Sequence, residues 1–483
     1  MSKFSIRHRE LWYHKRFYNG INLMASDSFS SLPISAEQIA NLDSLGYKKM
    51  TPIQAQSLPH LLKGKDLIAK AKTGSGKTAA FGIALLNQIN PRFLGVQAVV
   101  ICPTRELADQ VGKEIRRLAR AIPNIKLVLL CGGKPLGPQI GSLEHGAHIV
   151  VGTPGRLQDH LMKGTLKLDG LKVLVLDEAD RMLDMGFADV MQDIISYMPK
   201  SRQTMLFSAT YPDTIKKMSQ SIQRDPITVT VESEHKNSVI EQLFYEVKKH
   251  ERNSTLLALF QHYKPETTVV FCHTKVQCDE VASMLRDNKI EALAIHGDLD
   301  QRERDKVLVR FSNNSCSVLV ATDVAARGLD IKALQAVINY ELPRDPEIYI
   351  HRIGRTGRAG ETGLALSIFT PSDVMRLNAI EKYQKSPCVS DVPESLDLDP
   401  SFTLVPPMVT LQLDGGRKNK IRPGDILGAL TGDAGLSGSQ IGKIDIFDMS
   451  SYVAVERDAA RQALSYLADG KIKGRSVRAR KVK

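Results

Sequence analysis

The chain has 483 residues, 42% hydrophobic and 24% charged, with 34 glycines, 22 prolines and a formal net charge of +12. These fractions are those of an ordinary globular chain and exclude a mostly disordered polymer, a collagen-like repeat and a disulfide miniprotein. No apolar run approaches the roughly 18–20 residues needed to cross a bilayer, so no membrane partner is expected. Six scattered cysteines with no C-x-x-C pair point to a reducing compartment and away from a zinc site.

In chain order, residues 1–24 read as an N-terminal extension. Residues 1–23 carry a net charge of +4 and the only tryptophan, Trp12. Composition changes abruptly at Met24, which predicts that translation starts there. Residues 25–232 then alternate short aliphatic runs with helical patterns. Val96–Cys102, Ile125–Cys131, Ala147–Gly152, Val173–Leu176 and Gln203–Phe207 read as strands buried on both faces of a parallel sheet. Glu106–Ile122 has the apolar spacing of a helix. Residues 233–385 repeat the scheme, with strands at 268–272, 291–295, 316–321, 336–340 and 363–370. This alternation predicts two doubly wound α/β domains in series.

Residues 386–407 hold five prolines and no lysine or arginine, and read as an extended linker. Residues 408–483 carry a net charge of +6 and read as a small α+β unit in the order βαββαβ, an antiparallel sheet with two helices on one face. A basic terminal module on a near-neutral body fits a polyanion partner; it fits a solvated face as well.

Three motifs carry chemistry. Ala71-Lys72-Thr73-Gly74-Ser75-Gly76-Lys77-Thr78 follows an apolar strand and opens a helix. Its glycines let backbone N–H groups approach phosphate oxygens, Lys77 reaches the outer phosphates, and the Thr78 hydroxyl can ligate Mg²⁺. Alone, it also fits a plain glycine-rich turn. Asp177-Glu178-Ala179-Asp180 ends an apolar strand, where parallel sheets place ligands. There Asp177 can hold Mg²⁺, partly through water, and Glu178 can orient or deprotonate an attacking water. His351-Arg352-Ile353-Gly354-Arg355-Thr356-Gly357-Arg358 lies in the second α/β domain, which has no phosphate loop. Arg355 and Arg358 can stabilise charge developing on a γ-phosphate, or can belong to a basic stretch with no catalytic part.

Together these motifs resemble the DEAD-box ATP-dependent RNA helicases. Other segments fit the resemblance in order: Phe29 and, 17 residues on, Gly46 to Gln54; Pro103-Thr104-Arg105-Glu106-Leu107; Gly132-Gly133; Thr153-Pro154-Gly155-Arg156; Ser208-Ala209-Thr210; Phe271 with Thr274; Gln301 to Arg304; and Ala321-Thr322-Asp323 through Asp330. The resemblance implies two tandem RecA-like domains over residues 29 to about 370. It implies an enzyme that hydrolyses ATP with Mg²⁺ as cofactor when RNA is bound, separating short duplexes locally. By it, Gln54 contacts the adenine edge and Phe29 its face. Thr73, Gly74, Ser75, Gly76, Lys77 and Thr78 cradle the phosphates, and Asp330 contacts the ribose. Ser208, Thr210 and His351 couple the ATP state to RNA. Arg105, Gly133, Thr153, Arg156, Thr274 and Thr322 contact RNA, and Arg355 and Arg358 are arginine fingers. Met50 stands where the family usually has Pro or Ala.

Residues 408–483 resemble the C-terminal RNA-binding domain of the bacterial DbpA family, a divergent RNA-recognition motif (RRM). Asp414 to Asp425, Gly442 to Ile446 and Gly470 to Arg475 carry that likeness. An ordinary RRM stacks bases on sheet aromatics. Here the matching run, Met449 to Val455, offers only Tyr452, which fits a base platform and a core position equally. Arg417, Lys418 and Lys420, with Lys471, Lys473 and Arg475, are the candidates for gripping RNA phosphates. The resemblance implies a 23S rRNA hairpin of large-subunit precursors as partner, in a bacterial cytoplasm. A second reading is an ATP-gated RNA clamp or assembly scaffold with little strand separation. The Asp-Glu-Ala-Asp run and Gln54 speak against a DNA translocase, so no DNA partner is expected.

Overall fold

The computed structural model describes residues 27–71, 74–231, 240–326, 334–357, 362–469, 471–472 and 474–482, with backbone only at 469, 471 and 475. The proposed start at Met24, and with it residues 1–24, lies outside the described residues. The chain divides into two compact units between residues 234 and 235.

In the first unit, seven short strands form one parallel sheet: β1 (Leu67–Lys70), β2 (Ala98–Ile101), β3 (Leu127–Leu130), β4 (Ile149–Gly152), β5 (Val173–Asp177), β6 (Gln203–Ser208) and β7 (Ile227–Thr230). Their order is β3-β4-β2-β5-β6-β1-β7. Strands β2, β4, β5 and β6 are buried along their whole length, because helices cover both faces. On one face Phe81, from helix Lys77–Gln88, meets Phe207 of β6 edge-on with ring centroids 5.2 Å apart. Each such buried side chain contributes about 1.5–3 kcal/mol.

The second unit contains β8 (Ile240–Glu246), β9 (Thr268–Cys272), β10 (Ala292–Ile295), β11 (Val318–Thr322), β12 (Ala336–Asn339), β13 (Gly363–Phe369) and β14 (Ser390–Asp391). Their order is β10-β11-β9-β12-β13-β8-β14, the first sheet's order with each strand number raised by seven. The sheets of both units therefore follow one doubly wound plan, as the alternation of runs predicts. Strands β7, β8 and β14 carry no clear sequence signal. They are edge or near-edge strands, and β7 is buried at only one of its four positions.

The remainder is β15 (Met408–Leu413), helix Pro423–Gly428, β16 (Ile441–Ile446), β17 (Ser451–Glu456), helix Ala460–Asp469, the hairpin β18 (Lys471–Ile472) with β19 (Arg475–Ser476), and β20 (Ala479–Lys481). The antiparallel sheet runs β16-β17-β15-β20. The βαββαβ expectation holds, with the short hairpin added.

The extended linker does not swing free. Within residues 386–407, β14 pairs with β8, and Leu396 and Leu404 join the core of the second α/β domain. Leu404 forms a backbone bridge to Ile290, and Lys264 holds Asp399 at 2.8 Å while lying over the Phe402 ring. The segment is a strap: prolines keep it extended while spaced apolar side chains dock. It delivers β15 directly onto the α/β domain. The Met408 N–H donates to the Asn314 carbonyl at 3.3 Å, Ser315 Oγ lies 2.7 Å from Thr410 Oγ1, and Lys443 Nζ donates to Ser312 Oγ at 3.1 Å. Val309, Tyr452 and Val482 form a small apolar cluster across this contact, with Phe447 against it. Tyr452 is therefore a packing residue, edge-on to Phe447 at 5.4 Å and 5% exposed.

Candidate ATP site and RNA-contact loops

The phosphate loop leaves the C-terminal end of β1 and opens helix Lys77–Gln88. Gly74 and Gly76 hold φ of 83° and 95°, a region that suits glycine. A Cβ on Gly76 would sit 2.5 Å from Gln54 Nε2, so the loop and the Gln54 side chain fit only with glycine there. Gln54 bridges two segments: its Oε1 accepts from the Thr51 N–H at 2.9 Å and its Nε2 donates to the Gly76 carbonyl at 3.1 Å. The residue expected at the adenine edge thus also fixes the phosphate loop. Phe29 is 3% exposed, packs edge-on against Tyr47 and belongs to the core, so it supports this wall.

Lys77 is buried and donates to the Ala71 carbonyl at 2.8 Å. Ser75 Oγ is buried without a hydrogen-bond partner. Asp177, at the end of β5, is 3% exposed, and its Oδ1 likewise has no partner. Burial pushes its carboxyl up to about 7, with Lys77 opposing and Glu178 adding to the rise. An ionisable oxygen buried within electrostatic reach of Lys77 and lacking a partner is suited to a hydrated divalent cation. Glu178 has φ 54°, unusual for a side-chain-bearing residue, and pairs with Arg181 at 2.8 Å.

Asp180 joins this strand end to the next. Its Oδ2 accepts from the N–H groups of Ala209 and Thr210, at 3.1 and 2.9 Å, and from the Thr210 hydroxyl at 3.0 Å. Burial alone would raise this carboxyl, but hydrogen bonding led by Thr210, with the Arg181 charge, outweighs it and holds the group below its ordinary value. The Ala71 N–H donates to the Ser208 carbonyl at 3.0 Å, so the Ser208–Thr210 segment touches both the phosphate loop and the acidic motif.

Arg105, Gly133, Thr153 and Arg156 follow the C-terminal ends of β2, β3 and β4 and so gather at one end of the sheet. The Arg105 guanidinium lies against Gly132, where an added Cβ would be 3.7 Å from its Nε.

In the second unit, Thr274 caps helix Lys275–Asp287, accepting from the Gln277 N–H at 3.2 Å, and Thr322 ends β11. His351 and Arg355 bracket the end of helix Pro346–Ile353; His351 Nε2 lies 3.6 Å from Glu347. Arg352, which sequence reasoning passed over, anchors this helix. It is 2% exposed, forms a two-pronged pair with Asp323 at 2.6 and 2.8 Å, and donates to Asn339 Oδ1 at 2.9 Å and the Glu341 carbonyl at 2.8 Å. It also lies over the Phe271 ring at 4.9 Å. Thr73, Asp330, Arg358 and Lys473 lie outside the described residues, as do the side chains of Lys471 and Arg475.

On the C-terminal domain, Arg417, Lys418 and Lys420 are exposed on one turn. The N–H groups of Arg417 and Lys418 pin that turn to the carbonyls of Phe447 and Asp448 at 2.8 and 3.0 Å. A Cβ on Gly416 would collide with the Phe447 carbonyl.

Comparison with known proteins agrees with this layout. Residues 51–218 match the DEAD/DEAH box helicase family, 248–360 the helicase conserved C-terminal domain and 410–481 the DbpA RNA binding domain. The chain is 52% identical over 464 residues to the ATP-dependent RNA helicase DbpA of Escherichia coli K12, covering 94% of this chain and 100% of that one. It is 44% identical to the DEAD-box ATP-dependent RNA helicase CshA of Bacillus subtilis, over 74% of this chain and 72% of that one. The structure of Saccharomyces cerevisiae Dbp5 bound to RNA and ADP BeF3 superposes with a TM-score of 0.69 at 31% identity, covering 76% of this chain and 96% of that chain. A phosphate loop braced by Gln54, an acidic strand end wired to Thr210 and a separate basic domain thus belong to a chain of the DEAD-box ATP-dependent RNA helicase family, with a DbpA-type RNA-binding domain at its C-terminus.

Proposed function

We propose that this helicase is anchored by its C-terminal domain to a hairpin of 23S rRNA in large-subunit precursors, in the bacterial cytoplasm, and separates short duplexes nearby. The observation that carries the reading is the division of surfaces on that domain. Tyr452, the aromatic at the base-stacking position, is packed away, while Arg417, Lys418 and Lys420 project from a braced, exposed turn. Such a turn offers phosphate contacts to a folded RNA without needing unstacked bases.

In the catalytic cycle, Gly74 to Thr78 hold the phosphates and Lys77 exchanges the Ala71 carbonyl for phosphate oxygens. Thr78 and Asp177 would hold Mg²⁺, which when bound would neutralise phosphate charge. Glu178 orients the attacking water and takes its proton. The water oxygen bonds to the γ-phosphorus, and the bond to the β-phosphate oxygen breaks with its electrons leaving on ADP. Arg355 and Arg358 stabilise the charge on the transferred group. Arg105, Gly133, Thr153, Arg156, Thr274 and Thr322 contact the RNA backbone, and Asp180 with Ser208 and Thr210 relays between RNA and nucleotide.

The test is RNA-stimulated ATPase with RNAs that do or do not contain a large-subunit rRNA hairpin. The double variant Arg417→Glu/Lys418→Glu should lose the preference for the hairpin while generic stimulation persists. An unchanged preference would place recognition elsewhere.

A further inference from the structure

We infer that Gln139 and His160 are positioning residues for RNA binding, a buried relay that sets Arg156 and the Gly132–Gly133 loop in one fixed geometry. The inference rests on the reading above that Arg156 and this loop touch RNA.

Gln139 lies in helix Leu136–Glu144 and is 7% exposed; His160 lies in helix Pro154–Met162 and is fully buried. The Gln139 amide makes three contacts. Its Nε2 donates to the Cys131 carbonyl at 3.0 Å, immediately before Gly132. Its Oε1 accepts from Arg156 Nη1 at 3.1 Å and from His160 Nε2 at 3.0 Å. The same Arg156 nitrogen donates to the Lys134 carbonyl at 2.9 Å, immediately after Gly133. The loop is thus gripped on both sides, at residue 131 by Gln139 and at residue 134 by Arg156, and the two grips are joined to each other.

Donor and acceptor chemistry allows one arrangement. A guanidinium has no acceptor, so the amide oxygen must face Arg156 and the amide nitrogen the Cys131 carbonyl. His160 must then carry a proton on Nε2 to meet the same oxygen. Its Nδ1 lies 2.8 Å from Thr165 Oγ1, whose one hydroxyl proton has two acceptors in reach, that nitrogen and the His160 carbonyl at 3.1 Å. Burial and the neighbouring Arg156 hold the His160 imidazole below its ordinary value. Turning the amide over would set donor against donor at Arg156 and carbonyl against carbonyl at Cys131. His160 therefore fixes the amide, and the amide fixes the loop and the arginine. An RNA phosphate then meets groups already in place, and little ordering is left for the binding step. Neither residue shows itself in a sequence pattern, because Cys131, Gln139, Arg156 and His160 meet only through the fold.

The experiment uses the full chain and RNA-stimulated ATPase with a single-stranded oligoribonucleotide, separating the RNA concentration for half-saturation, the ATP KM and kcat at saturating RNA. Gln139→Leu should raise RNA half-saturation by about tenfold, the range of one lost hydrogen bond to a charged group. ATP KM and saturated kcat should change by less than about twofold. His160→Leu should act the same way more weakly, and His160→Gln, which restores an N–H donor, should recover most of the loss. In an Arg156→Ala background Gln139→Leu should add less than it does alone, since part of its effect runs through Arg156. If Arg156→Ala weakens RNA binding but Gln139→Leu and His160→Leu do not, the relay is overturned and the RNA-contact reading stands. If none of the three moves RNA half-saturation, the RNA-contact reading falls, and the relay with it. Should Gln139→Leu prove too unstable to assay, His160→Leu against His160→Gln decides alone: equal RNA half-saturation in the two would overturn the relay.

Discussion

The two parallel sheets share one strand order, yet their equivalent strand ends are used in opposite ways. In the first sheet β1 runs into a glycine-rich phosphate loop, and β5 ends at Asp177 with a buried oxygen that nothing satisfies. In the second, β8 runs into a short turn and helix Arg252–Tyr263, and β12, the counterpart of β5, ends at Asn339. Asn339 is held at both ends of its amide: its Nδ2 donates to Ser367 Oγ at 3.1 Å and its Oδ1 accepts from Arg352. A buried carboxyl with an unsatisfied oxygen in one sheet corresponds to a neutral amide locked inside the other. The first sheet holds polar groups at a cost that a ligand can relieve. The second has satisfied the same corner internally and uses it to hold the helix that carries His351 and Arg355.

The largest expected effect removes the chemistry of the first corner. Glu178→Gln should lower kcat for ATP by about 10²-fold or more, the range of a lost general base, with nucleotide binding retained. Near-normal turnover at saturating RNA would take Glu178 out of the reaction.

Next comes the satisfied corner. Arg352→Ala leaves Asp323 and Asn339 without their partner and should destabilise the second unit by about 3–5 kcal/mol, the cost of breaking a buried pair. Chemical denaturation with separate probes in the two units would show it, the first unit melting as before. Equal destabilisation of both units would contradict a role for Arg352 confined to the second unit.

Asp177 gives the comparison a pH dependence. Its folded-state carboxyl sits at about 7, above its value of 3.8 in a free side chain. Folding therefore favours the protonated form, and the ligand-free protein loses stability as pH rises from about 4 to 7 and no further above 7. Asp177→Asn should abolish hydrolysis yet raise the melting temperature at pH 8, with the gain shrinking as pH falls toward 5.5. A gain independent of pH would mean that Asp177 is not the strained group. Mg²⁺-ATP affinity in the wild-type chain should weaken as pH drops below 7.

The smallest effect concerns the C-terminal sheet. Tyr452→Leu keeps the apolar contact with Val309 and Val482 but removes the ring. RNA affinity should stay within about twofold, whereas loss of a base-stacking ring would cost about 1–3 kcal/mol.

The contrast also explains what a reader of the sequence can find. Lys77, Thr78, Asp177, Glu178 and Arg355 sit in short patterns whose chemistry is local, and the parallel strands announce themselves as aliphatic runs buried on both faces. The pairs that wire the site together do not: Asp180 reaches Thr210, Arg352 reaches Asp323, and Gln139 reaches Arg156, each across a strand or helix that only the sheet order brings close. Phe29 was legible as a fixed spacing before Gln54, but not as a core ring, because burial is not a local property. Residues 386–407 read as a free linker because proline content dominates the pattern. The apolar Leu396 and Leu404 that fasten the strap are too widely spaced to show a period.

The proposed function assigns the nucleotide to the first unit and charge stabilisation during hydrolysis to Arg355, on the helix that Arg352 anchors. Arg355→Ala in the full chain tests it most directly, with nucleotide affinity and RNA-stimulated turnover measured side by side. The account predicts ATP affinity within about twofold of wild type and turnover reduced by about 10²-fold or more, in the range that arginine fingers supply. Turnover near that of the wild-type chain at saturating RNA would contradict it.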